Sequence, residues 1–176
     1  MTRTQYELTP SEADNFGRYL FSGGFAFVED TDWLRGGMSD KALRKVLRDA
    51  LAAQGYPYGN AWAFEMLPEG HPIYHCFFDF NGPPAGEDNW NYGGGQWQRG
   101  EAPYDYLEGI TIDERLLILY SMKGLATCWS EWGYGHHYAM KKQLDPTRQL
   151  QFGVNIVVFA LTQEGSITNR VMDIVR

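Results

Sequence analysis

Cysteine is scarce in this sequence. Cys76 and Cys128 are its only two in 176 residues, too few for a disulfide-stapled scaffold, although a single bridge between them stays open. No run approaches the roughly 20 apolar residues that a membrane-spanning helix needs. Met1 to Leu8 also lacks the basic-then-apolar order of a signal peptide, so the expected chain is soluble, unexported, cytoplasmic by default and without membrane insertion. Basic residues are the minority: fifteen Lys and Arg face twenty-two Asp and Glu, for a formal net charge of −7. That balance argues against nucleic acid as a partner and favours a small polar ligand or a protein. Neither a Gly-x-Ser-x-Gly elbow nor a P-loop is present, and no cofactor is implied. What is abundant is aromatic: 15% of residues, with six Trp and eleven Tyr.

The length suits a single α/β domain over residues 1–176. Thr9-Pro10-Ser11-Glu12 starts a helix as a capping box, with Ala13, Phe16, Tyr19 and Leu20 on one face and Gly23-Gly24 as its end. Phe25 to Val28 is a short unbroken apolar run, expected as a central strand buried on both faces. A second helix is expected from Ser39 to Gln54, its face of Lys41, Arg44, Lys45 and Arg48 turned to solvent. Trp62 to Leu67 reads as a strand. Leu107 to Ile112 and Arg115 to Ser121 read as a hairpin joined at Asp113-Glu114, a turn without its favoured glycine. Two long aromatic connections, at about 81–106 and 128–144, read as irregular loops. Asp145-Pro146 opens a helix that runs to about Thr162, apolar most of the way round, with its β-branched residues keeping a strand reading open.

Candidate site residues fall into three groups. Glu29, Asp30 and Asp32, with Trp33 beside them, follow the first strand, where open α/β sheets collect ligands; capping and solvation are the structural alternatives for these acids. His71, His75 and Asp79 stand four residues apart, a metal-ligand spacing if one helix carries them. Without that helix, His71 becomes a capping or turn residue and His75 a hydrogen-bonded side chain. Trp97 in the first aromatic loop, and Trp129, Trp132, His136 and His137 in the second, present apolar faces and polar tips suited to a sugar ring or a protein. Packing of those loops onto the sheet is the alternative. Buried, unreactive thiols are expected for both cysteines.

Taken together, Tyr19 to Phe25 leading to Glu29-Asp30, the block His71-Pro72-Ile73-Tyr74-His75-Cys76-Phe77-Phe78-Asp79, Glu108-Gly109-Ile110, and Phe152-Gly153-Val154-Asn155 through Thr162 resemble the bacterial domain of unknown function 4159. The resemblance implies a three-layer, flavodoxin-like and class I glutamine amidotransferase-like sheet with helices on both faces, lacking its N-terminal strands. It also suggests the cell envelope or periplasm. Where an amidotransferase carries its cysteine nucleophile, this chain reads Glu29-Asp30-Thr31-Asp32, so amidotransferase catalysis does not carry over. Exposed sheet edges are then expected to be covered by the aromatic loops or by a homo-oligomer. The function expected is a non-catalytic binding domain for a carbohydrate-like molecule or an envelope-associated protein. The alternatives are a hydrolase using a metal or an acid/base pair, and a structural self-association domain.

Overall fold

The computed structural model describes residues 6–30, 35–86, 104–134 and 147–175. The Thr9 hydroxyl accepts from the Glu12 N–H, and the Glu12 carboxylate accepts in return from the Thr9 N–H at 2.8 Å. This capping box opens helix α1 (Pro10–Phe21). There follow β1 (Ala26–Glu29), α2 (Met38–Ala53), β2 (Glu65–Met66), a 3-10 turn at Pro72–Tyr74, β3 (Glu108–Ile112), β4 (Arg115–Ser121), α3 (Leu125–Tyr134), α4 (Thr147–Thr162) and α5 (Ile167–Val175). α1, α2, α4 and the hairpin lie within a residue or two of where the sequence puts them.

The strands form one open mixed sheet in the order β1-β4-β3-β2. β1 runs parallel to β4, and the other two pairs are antiparallel. α1 and α2 cover one face through Leu20, Leu47 and Leu51; α4 covers the other through Phe152, Ile156 and Phe159. Gly17 lets the first two helices touch, since a Cβ there would collide with the Ala50 carbonyl. In β4 the register steps over Leu117. That bulge turns both Leu117 and Ile118 toward α1 and α2, while Leu116 and Leu119 face α4.

The structure corrects the expectation of a central first strand. Among the described residues β1 is an edge strand, and all four of its residues are half-buried. Ala26 and Val28 pack toward α1 and α2, whereas Phe25 and Phe27 pack toward α4. An apolar run therefore reports helices above and below a strand, and says nothing about backbone neighbours at its two edges. Tyr19 also departs from its expected buried face: it is 45% exposed, and its hydroxyl donates to the Phe25 carbonyl.

Other boundaries move for identifiable reasons. Of the span expected as a strand, Trp62 to Leu67, β2 covers only Glu65 and Met66. α3 replaces part of an expected loop because its cap comes from far away in sequence. The Glu29 carboxylate accepts from the N–H groups of Leu125 and Ala126, at 2.7 and 2.6 Å, at the helix end where negative charge is favoured. No local signal reveals such a cap. α5 docks through the Ile167 N–H on the Gly23 carbonyl. Gly23 has φ 102°, and a Cβ there would lie 2.8 Å from the Ile167 nitrogen. No described helix is long and apolar enough to cross a membrane.

Candidate functional site

The carboxyl ends of β1 and β4 meet the start of β3 and the first turns of α2, and charged groups that ordinarily stay in water are buried there. Asp30, Asp40, Glu108, Arg44 and Lys123 are each 8% exposed or less. Arg44 Nε donates to Asp40 Oδ1 at 2.6 Å, and its Nη2 donates to Glu108 Oε2. Its guanidinium lies between two rings, 4.2 Å from the centroid of Phe64 and 4.6 Å from that of Tyr120. The Tyr120 hydroxyl and the Gly36 N–H both donate to Asp40. Lys123 Nζ donates to the Tyr104 carbonyl at 2.7 Å.

Arg35 forms the outer lip of this network. Its Nη2 donates to Glu108 Oε1 at 2.7 Å, its Nη1 donates to the Tyr106 hydroxyl, and its backbone N–H donates to the Tyr104 hydroxyl. The Arg35 side chain nevertheless stays 47% exposed. Burial raises the Asp40 pKa, but hydrogen bonds from Gly36, Arg44 and Tyr120 outweigh it and hold the carboxyl below its usual value. The Tyr120 phenol is pushed far up by burial, and then by Asp40. Tyr106 is raised as well, chiefly by burial. Asp40 is thus held ionised, Tyr106 and Tyr120 neutral, and Arg35 and Arg44 charged at neutral pH.

Arg44 overturns the expectation of a solvated basic face, although Lys41, Lys45 and Arg48 are exposed as expected. Asp40, Arg44, Leu47 and Leu51 form one helical stripe, and Arg44 lies on it. That stripe was the available signal.

The other expected site residues are dispersed. Asp30 belongs to the cluster, where its charge acts on Tyr120. Glu29 serves α3 as its cap and also accepts from Ser121 Oγ. Trp129 packs against Phe27 on the opposite face of the sheet, and its Nε1 donates to the Gln149 carbonyl. Asp32, Trp33, Trp97, His136 and His137 lie outside the described residues, as does the Trp132 side chain.

The continuous helix that a metal-ligand spacing of His71, His75 and Asp79 would need is not formed; the helical turn covers only Pro72–Tyr74. His71 caps it by accepting from the Ile73 N–H, with its ring against Phe159, and burial lowers its pKa. His75 Nδ1 meets Asp79 Oδ1 at 2.5 Å and its Nε2 meets the Glu69 carbonyl at 2.9 Å. Two acceptors favour the imidazolium, so the His75 pKa is raised. Among the described residues, no group of three His, Cys, Asp or Glu is arranged to hold a metal ion. Cys128 is buried. Cys76 is half-buried on the Asn155 carbonyl, its thiol pushed up by that burial.

Asn155 explains why the helix is interrupted. It is fully buried; its Nδ2 donates to the carbonyls of Ile73 and Phe78, and its Oδ1 accepts from the Phe78 N–H. These bonds take up backbone groups that a longer helix would have satisfied itself. The His-Pro-Ile and Gly-Val-Asn blocks are therefore two halves of one structural joint.

A family model described as domain of unknown function DUF4159 matches residues 1–161. The chain belongs to that family. Of the blocks that carry the DUF4159 resemblance, the glycine pair receives α5, His-Pro-Ile meets Gly-Val-Asn, and Glu108 holds both arginines. Among curated proteins, no match was found.

Proposed function

We propose that this DUF4159 chain is a non-catalytic binding domain that takes a neutral, hydroxyl-rich molecule of carbohydrate type beside Arg35. The carrying observation is a guanidinium oriented by Glu108 and Tyr106 yet about half exposed. Its orientation is set before any ligand arrives, which lowers the entropic cost of binding. Sugar hydroxyls and ring oxygens accept from such a fork. Tyr106, half-buried and edge to face with the buried Tyr104 at 6.2 Å, offers ring surface with a polar tip.

Charge balance supports a neutral ligand. The buried carboxylates of Asp30, Asp40 and Glu108 are matched by Arg44, Lys123 and Arg35. Position supports a site of some kind, because the cluster sits at the carboxyl ends of the parallel β1 and β4 pair. We relate the fold to the flavodoxin-like, amidotransferase-like class on that pair and on the helices against both faces. The antiparallel β3 departs from an all-parallel sheet, and the turn after β1 offers carboxylates in place of a thiol. The proposed setting, from the same resemblance, is the cell envelope.

The test titrates the protein with a panel of neutral mono- and disaccharides, read by tryptophan fluorescence and calorimetry. A saturable response is expected, weakened at least about tenfold in Arg35→Ala and in Arg35→Lys, which keeps the charge but loses the planar fork. An inert wild type, or variants that bind as well as it does, would overturn the reading. Metal-dependent turnover of ester or glycoside substrates would replace it with the hydrolase.

A further inference from the structure

The hairpin turn, the end of α1 and the turn between α4 and α5 border a groove of about 310 Å³. Its floor is apolar: Phe21, Ile112 and Leu117 line it, the last two buried in the core. Its rim is acidic. Asp113 and Glu114 stand on the hairpin turn and Glu164 on the turn between the two helices, and all three are exposed. Among the described residues, no side chain pairs with any of these carboxylates. Arg115 also lines the groove, but its guanidinium is engaged at the end of α1, where Nη1 donates to the Gly24 carbonyl at 2.8 Å and Nη2 to the Leu20 carbonyl. An apolar floor between acidic rims is complementary to a molecule with an apolar middle and a positive charge towards each end.

We propose that this groove binds a linear aliphatic polyamine. Its methylene chain lies on Phe21, Ile112 and Leu117, with one ammonium at Asp113 and Glu114 and another at Glu164. The carboxylates come from two separate turns and do not converge: among the described residues no three His, Cys, Asp or Glu are placed to hold a metal ion. A longer cation spans what a bare ion does not. Size agrees, since the volume is at the small end of ligand pockets and equals about ten waters at roughly 30 Å³ each, the room for a slender chain of about that many non-hydrogen atoms. Charge agrees too, because a chain of net charge −7 draws cations and repels anions.

The groove borders the turn that begins β4, whereas Arg35 and its partners gather at the carboxyl end of that strand. The two share no residue, so this inference stands or falls separately from the carbohydrate reading.

Calorimetric titration of the full chain at low salt with putrescine, cadaverine and spermidine, beside butylamine and magnesium chloride, tests it. Saturable binding of a polyamine is expected, at least about fivefold tighter than that of butylamine, which has the apolar body but one ammonium. Glu164→Gln alone, and Asp113→Asn together with Glu114→Gln, should each weaken it at least about threefold. Glu65→Gln, which removes an exposed charge from β2, should not. Circular dichroism should stay unchanged in all of these, because each replaced carboxylate faces solvent. Arg35→Ala should leave polyamine binding intact, and Glu164→Gln should leave saccharide binding intact. The absence of saturable binding, butylamine bound as tightly, rim variants that bind like wild type, or an equal loss in Glu65→Gln would overturn the proposal. So would magnesium that binds as tightly with the same dependence on the rim.

Discussion

The Tyr120 hydroxyl donates to Asp40 Oδ1 at 2.8 Å, tying the carboxyl end of β4 to the first turn of α2. Arg44 adds the second tie, from α2 to Glu108 at the start of β3. A helix and two strands are therefore held together by an ion cluster where α/β domains usually place apolar side chains.

Removing one member of that cluster should be far worse than removing a surface charge. Arg44→Ala leaves Asp40 and Glu108 buried beside each other, and the loss of one partner of a buried pair costs about 3–5 kcal/mol. Urea unfolding followed by fluorescence checks this. Lys45→Ala, which loses an exposed ion pair with Asp49, should stay within about 1 kcal/mol of wild type. Equal effects in the two variants would mean that the cluster contributes no more than surface charge does.

Acid should find the same weak point. The Asp40 pKa is lowered in the fold from its reference of 3.8. Its contribution is therefore complete above that reference and is lost as pH falls through the lower folded value. Stability measured between pH 6 and 2 should fall less steeply at the acid end in Asp40→Asn than in wild type, from a lower starting point.

The turn between β3 and β4 should be open to improvement. Asp113 and Glu114 have φ of 49° and 63°, and side chains in the left-handed region cost roughly 1–2 kcal/mol per residue. Asp113→Asn with Glu114→Gly supplies the pair that this turn prefers. We expect a gain of about 1 kcal/mol and a melting temperature higher by about 2–4 °C. An unchanged or lower melting temperature would show that neither residue is under strain.

What could be read from the letters and what could not divide along a physical line. The capping box, the apolar periodicity of α2 and α4, and the two-residue spacing of the hairpin are local, and local patterns survive in a sequence. α3 has no local signature because its cap, Glu29, is supplied from 96 residues away. The edge position of β1 is not legible because the faces of a strand are written in its side chains and its edges are not. Arg44 reads as solvated on charge alone, yet it stands on the buried stripe that carries Leu47 and Leu51. Of the proposed site, the sequence points to Asp30 and, through the aromatic connection at about 81–106, to Tyr104 and Tyr106; Arg35, Asp40 and Glu108 are drawn together by tertiary folding.

The two described histidines should titrate in opposite directions. His75 is raised above 6.5 by Asp79 and the Glu69 carbonyl, and His71 is lowered below 6.5 by burial. His75 thus stabilises the fold fully below 6.5 and stops doing so as pH rises through its folded value. The His71 contribution is complete above 6.5 and declines as pH falls toward its folded value. Imidazole proton shifts followed by NMR, assigned with His71→Gln and His75→Gln, check both signs. A common midpoint for the two rings would contradict the structure.

Asn155 gives the sharpest separation between a structural and a chemical reading of the family blocks. Its three hydrogen bonds hold Ile73 and Phe78 to α4, and nothing in that arrangement calls for a reactive group. Asn155→Ala strands a buried N–H and two carbonyls, each worth about 1–3 kcal/mol when left unsatisfied. Asn155→Asp keeps the shape but turns a donor pair into a buried acceptor facing two carbonyls, and should be at least as damaging. The loss should appear first as faster amide exchange at Ile73, Tyr74 and Phe78, well before global unfolding. Affinity for the proposed ligand beside Arg35 should not change in whatever fraction stays folded. If Asn155→Ala instead keeps full stability and abolishes binding, the joint between the two blocks is itself the ligand site.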